Sequence, residues 1–170
     1  MIRFLGAALL MAGCGGLGLS AVNRLDGRVR DLRELSAGLE ILQQELSWRL
    51  SPLPEALNAA ADGTHGGTAR FFAYCAKGSR ELAGTPFRTL WSRGLEQCPL
   101  RLSRSDRALL EQLSPILGRY DGESQRQAVE NVLTGLRRQQ TQAEDDRRRL
   151  GRVYGVLGLT AGLFLTLVLI

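Results

Sequence analysis

The sequence predicts an all-α protein: a six-helix bundle flanked by N- and C-terminal transmembrane helices. Three observations carry this expectation. Leu, Ala, Arg, Glu and Gln dominate while runs of Val, Ile, Thr and Tyr are almost absent, a balance that favours helix over strand. Apolar residues recur at helical spacing through the middle of the chain. Residues 4–22 (FLGAALLMAGCGGLGLSAV) and 153–170 (VYGVLGLTAGLFLTLVLI) carry no charge, so all 17 acidic residues, and every basic one except Arg3, fall between them. A helix rises about 1.5 Å per residue, so segments of this length reach roughly the 30 Å of a bilayer core. The expected organisation is a span at 1–22, a polar helical domain at 23–152 and a second span at 153–170.

In the first span, Ala8, Ala12, Gly16 and Ser20 recur every four residues along one face. Small residues at this spacing let helix backbones approach closely, although glycine is also simply common in membrane helices. Gly13-Cys14-Gly15-Gly16-Leu17-Gly18 matches G-x-G-x-x-G, but neither a preceding strand nor a βαβ unit is in view, so the glycines read as packing residues. Met11-Ala12-Gly13-Cys14 also approaches a bacterial lipoprotein signal, which would anchor the domain outside the membrane through Cys14. Against that reading, the apolar stretch continues past Cys14 to Val22 and the residues beyond it are rich in Arg. Arg24, Arg28, Arg30 and Arg33 follow the first span, and Arg137, Arg138, Arg147, Arg148, Arg149 and Arg152 precede the second. Cytoplasmic flanks collect basic residues, so the middle is expected in the cytoplasm with both termini outside. Cys75 and Cys98 would then meet a reducing compartment and serve as small apolar residues.

From Asn23 the first helix is expected to continue into the polar domain. Leu32, Leu35, Leu39, Leu42 and Leu46 keep a 3-4-3-4 rhythm that ends near Trp48 and Leu50. Ser51-Pro52-Leu53-Pro54-Glu55 then restarts the chain, with Ser51 as cap and Pro52 in the first helical position. Helix two runs to about Ala61, and residues 62–67, including His65, form a flexible loop. Helix three covers 68–82 with Phe71, Phe72, Cys75 and Leu82 facing inward. Thr85 caps helix four, whose Phe87, Leu90, Trp91 and Leu95 read as core. Ser103 or Ser105 opens helix five, which carries Leu109, Leu110, Leu113, Ile116 and Leu117. Gly118 suits a left-handed helix terminus and Asp121 an N-cap for the last helix. That helix buries Val129, Val132, Leu133 and Leu136 and continues into the second span. There Gly151, Gly155, Gly158 and Gly162 form another stripe of small residues. Between them lies a polar stretch whose Glu144–Arg148 and Asp145–Arg149 spacings allow pairs along the helix. Arg147, Arg148 and Arg149 could serve a partner, meet anionic headgroups, or belong to a solvated stalk.

The net charge of +5 is mild and interspersed with acid, which argues against nucleic acid as a partner. One loop histidine supports neither a nucleophilic triad nor a metal site, and no phosphate loop or carboxylate dyad stands out. No catalytic residue, cofactor or metal is expected, so the chain reads as a non-enzyme. The chemistry on offer is assembly: membrane insertion, helix packing and docking.

The chain also resembles the stage III sporulation protein AB family along essentially its whole length. The residues that carry the likeness are Leu5-Gly6-Ala7, the Arg-rich first helix, Ser51-Pro52-Leu53 followed by Ala56-Leu57, Leu117-Gly118, Asp121, Gln125, the charged last helix and the Leu-rich final span. In its soluble part that family is similar to the cytoplasmic domains of the inner-membrane F protein of type II secretion and type IV pilus systems. The resemblance implies a mother-cell membrane component of a secretion-like complex between mother cell and forespore, required for endospore formation. It also implies a secretion-type ATPase and further membrane proteins as partners, with the lipid bilayer and homo-oligomers as other associations. Candidate contacts are Pro52, Leu53, Tyr120, Asp121 and Gln125, together with Glu144, Asp145 and Arg147 to Arg149. A single such domain on one hairpin departs from the secretion F proteins. A lipid-anchored surface protein and a general membrane adaptor are the alternatives.

Overall fold

The computed structural model describes the backbone of residues 2–81, 86–117 and 122–169, and the side chains of 20, 22–81, 86–117, 123–150, 153, 156 and 160. Among the described residues there are six helices and no strand: α1 (Ile2–Ser47), α2 (Leu53–Asp62), α3 (Gly66–Arg80), α4 (Phe87–Gln97), α5 (Arg104–Glu111) and α6 (Gly122–Leu169). The all-α class and the count of six are as expected. No helix is long and apolar enough to cross a membrane among the described residues, and almost all side chains of 4–22 and 153–170 lie outside them. So do the side chains of Ala8, Ala12, Gly16, Gly151, Gly155, Gly158 and Gly162; Ser20 is exposed. The chain divides into two compact units, residues 30–141 and residues 1–29 with 142–170.

The 30–141 unit is built on the leucine seam of α1. Leu32, Leu35, Leu39 and Leu42 are fully buried, while Leu46 is half-buried at the helix end. Around them lie Ala56, Leu57 and Ala60 of α2, Phe71, Phe72 and Cys75 of α3, and Leu90, Trp91 and Leu95 of α4. Leu110 of α5 and Val129, Val132, Leu133 and Leu136 of α6 complete the core. Trp91 holds it together in two ways. Its ring meets Phe71 edge-on at 4.7 Å between centroids, and its indole N–H donates to the Leu110 carbonyl at 3.0 Å. Phe71, Phe72 and Trp91 are therefore core, as their spacing predicts, while Phe87, expected there too, is half-buried. Gly38 lets α3 come close to α1, because a Cβ there would run into the Phe72 ring.

Helix ends differ in detail from expectation, for identifiable reasons. Pro52 is the N-cap residue of α2, while the Ser51 hydroxyl donates to Glu45 Oε2 at 2.8 Å, so Ser51 ties the turn to α1 and does not cap α2. His65 is the N-cap of α3, and Gly66 follows with φ +64°, a left-handed step that glycine takes at no steric cost. Two carboxylates of α1 fix the loops beside it. Glu34 accepts the His65 backbone N–H at 2.8 Å and Asp31 that of Arg101 at 2.7 Å. Helix α5 has the expected Ser103 cap, in a reciprocal capping box with Asp106. It stops at Glu111 instead of running on to Leu117, because Pro115 cannot donate and would crowd the carbonyl four residues back. Residues 112–117 turn tightly there, with Leu113 and Leu117 still buried. Leu82, Thr85 and Gly118 lie outside the described residues.

In the other unit, α1 and α6 run antiparallel, and their facing charges record it. Arg147 pairs with Asp26, and Arg28 approaches Asp146 at 3.8 Å. Val29 and Ala143 are buried there.

Candidate interaction surfaces

Among the described residues of the 30–141 unit, the most exposed large apolar side chains lie at the end of α1. Trp48 is 85% and Leu50 is 80% exposed. The leucine rhythm stops at Leu46, and Trp48 falls off its three-four spacing just as α1 ends at Ser47. Leu50 then adopts φ +50°, the one left-handed residue other than glycine among the described residues. Such a conformation costs a branched residue about 1–2 kcal/mol, so the surrounding turn must enforce it. Glu45 supplies the enforcement by accepting from Arg49 at 2.9 Å and from Ser51 at 2.8 Å.

Beside this turn an open groove of about 750 Å³ runs between α1 and α6 within the 30–141 unit. Trp48 stands on its wall. Glu40, Glu123 and Glu130 bring carboxylates to it, and Arg126 and Arg137 bring guanidiniums. Both arginines are engaged: Arg126 with Glu123 at 2.6 Å, Arg137 with Glu40 at 2.9 Å. The hydrogen bond and charge of Glu123 hold the Arg126 guanidinium more firmly protonated than usual. In the sequence Trp48 and Leu50 stand only as the end of the leucine rhythm, and Glu130 is not among the candidate contacts. The signal for Trp48 was its break from the leucine rhythm; Glu130 meets the groove only through folding.

The expected contact residues scatter. Pro52 is exposed and Leu53 half-buried at the start of α2, close in sequence to Leu50. Gln125 is 8% exposed and belongs to the buried side of α6, so it is a poor contact for another protein. Tyr120 and Asp121 lie outside the described residues. Glu144 is half-buried, whereas Asp145, Arg147, Arg148 and Arg149 are exposed. The ion pairs of this segment run across to α1, from Arg147 to Asp26 and from Asp146 to Arg28, and not along α6 between Asp145 and Arg149. Helix-to-helix pairing wins here because α1 presents opposite charges at the same level.

His65 exposes its side chain, with Nδ1 3.5 Å from Glu34, and no group of three or more potential metal ligands occurs among the described residues. Cys75 is buried and Cys98 half-buried, both as free thiols. Burial, and to a lesser degree the neighbouring Cys98, push the Cys75 thiol far above its usual range, so it is a poor nucleophile.

The described residues thus define an all-α protein in which several carboxylates and guanidiniums of α1, α5 and α6 are held in ion pairs and helix caps. A family model for stage III sporulation protein AB matches residues 3–170, and the chain belongs to that family. It is 26% identical over 171 residues to stage III sporulation protein AB of Bacillus subtilis (strain 168), covering 99% of both chains. Its fold is similar to a solved structure of stage III sporulation protein AB, with a TM-score of 0.64 and 24% identity over 72% of this chain and 98% of the other. The likeness to the stage III sporulation protein AB family read from the sequence is borne out.

Proposed function

We propose that the chain is a non-enzymatic platform, held in the mother-cell membrane by 4–22 and 153–170, within a secretion-like complex that serves endospore formation. The observation that carries this reading is the family match along residues 3–170, which takes in both uncharged ends as well as the polar middle. The paired and exposed charges of α1 and α6 support a role in docking, with a secretion-type ATPase and other membrane proteins as partners. On this reading the polar domain faces the cytoplasm.

Copurification of the full chain from sporulating cells tests the platform. The ATPase and membrane proteins of the sporulation complex should be retained with the wild-type chain. Their complete absence under mild solubilisation sinks the reading. Thiol labelling in intact cells tests the topology. Cysteines added in the 62–67 loop should be protected from an impermeant maleimide, and one appended after Ile170 should react. The reverse pattern overturns the cytoplasmic placement.

A further inference from the structure

We propose that the groove beside Trp48 is a docking site for a short cationic segment of a partner protein. The proposal rests on the platform reading in taking the occupant to be another protein. Trp48 presents an indole at 85% exposure. An indole face is the strongest of the aromatic partners for Lys or Arg. Leu50 stands beside it at 80% exposure, on a left-handed backbone that Glu45 helps to hold through Arg49 and Ser51. Strained backbone of this kind clusters at functional sites.

Charge selects among possible occupants. Among the described residues the groove brings together the carboxylates of Glu40, Glu123 and Glu130 with two guanidiniums. Those two, Arg126 and Arg137, are already paired with Glu123 and Glu40. Exposed Glu130 shares Arg126 with Glu123, so three carboxylates against two guanidiniums leave the described lining net negative. A positive side chain can stack on Trp48 and meet the Glu130 carboxylate, while Leu50 packs on the stem or on a neighbouring apolar residue. The same charge disfavours an anionic lipid surface. A second copy would have to bring its own Arg-rich stretches to the groove, and dependence on the chain's own concentration sets it apart in the test below.

The test uses the full chain in detergent micelles and two labelled, end-blocked ten-residue peptides of equal Leu content, one bearing Arg and the other Glu at the same positions. Binding is read by anisotropy, and acrylamide quenching reports Trp48, since Trp91 is fully buried. The Arg peptide should bind and shield Trp48, and the Glu peptide should not. Glu130→Lys should weaken the Arg peptide about ten-fold, and Trp48→Ala at least as much. Both positions are exposed, so helicity should remain that of the wild type. Equal binding of the two peptides, no binding of the Arg peptide, or unchanged binding by both variants overturns the proposal. Shielding of Trp48 by phosphatidylglycerol vesicles, or by the chain's own concentration, also overturns it in favour of a lipid or a second copy. These failures leave the platform intact if its partners still copurify; loss of all partners from the wild-type chain would strike the platform itself.

Discussion

At the scale of single residues, two glycines make opposite predictions. Replacing glycine by alanine inside a helix gains about 1 kcal/mol of propensity, whereas overpacking a core costs about 1–3 kcal/mol. At Gly38 the new methyl would meet the Phe72 ring, which is fully buried and has nowhere to swing. Gly38→Ala should therefore destabilise by about 1–2 kcal/mol in urea titrations. At Gly135 the methyl would lie 2.9 Å from Leu109 Cδ2, the tip of a half-buried side chain that can rotate away. Gly135→Ala should be neutral or stabilising by up to about 1 kcal/mol. Neither contrast could be read from the sequence, because both depend on which helix lies opposite. Cys75 gives a pH prediction. Below its ordinary value of 9.0 the thiol is neutral whether the chain is folded or not. Above that value the unfolded chain ionises while the buried thiol does not, so stability falls as pH rises. Comparing urea midpoints at pH 8 and pH 10 should show a smaller loss in Cys75→Ala than in the wild type. An identical loss in both would mean that Cys75 does not contribute.

Among the secondary-structure elements, legibility depended on whether the signal was local. Ser103 before Arg104-Ser105-Asp106 is a cap pattern contained in four residues, and α5 begins there. Ser103→Ala should cost about 1 kcal/mol in the urea titration, and Asp106→Ala somewhat more, because Asp106 is fully buried. The Pro115 stop is equally local, being contained in Ser114-Pro115. The caps supplied by Asp31 and Glu34 were not, since those side chains reach loops 70 and 31 residues away along the chain. The same limit applies to residues 144–149. Their charge pattern was visible, but spacing alone pointed to pairs along α6, whereas Asp26 and Arg28 of α1 provide the partners. These pairs are exposed on the α6 side but partly buried on the α1 side, where Asp26 Oδ1 is buried. Reversing Arg147, Arg148 and Arg149 together should therefore destabilise the unit of residues 1–29 and 142–170, while leaving the helicity of the 30–141 unit that of the wild type. On the platform reading the same variant should retain less ATPase and membrane partner in pull-downs. Undiminished retention would remove this segment from the docking surface.

For the molecule as a whole, the composition and leucine rhythm made the six helices readable, and the order of motifs along the chain made the family readable. The groove at Trp48 was not, because its carboxylates come from α1 and α6, which lie far apart in sequence. That separation also matters before the chain is complete. Glu40 of α1 waits for Arg137 of α6, 97 residues later. At roughly 5–20 residues per second, α1 leaves the ribosome about 5–20 seconds before its α6 partner exists. During that interval part of the seam formed by Leu32, Leu35, Leu39 and Leu42 is uncovered. Newborn α1 is thus a client for whatever shields apolar helices during synthesis, and slowing translation between α1 and α6 should raise aggregation of the nascent chain without altering the finished fold.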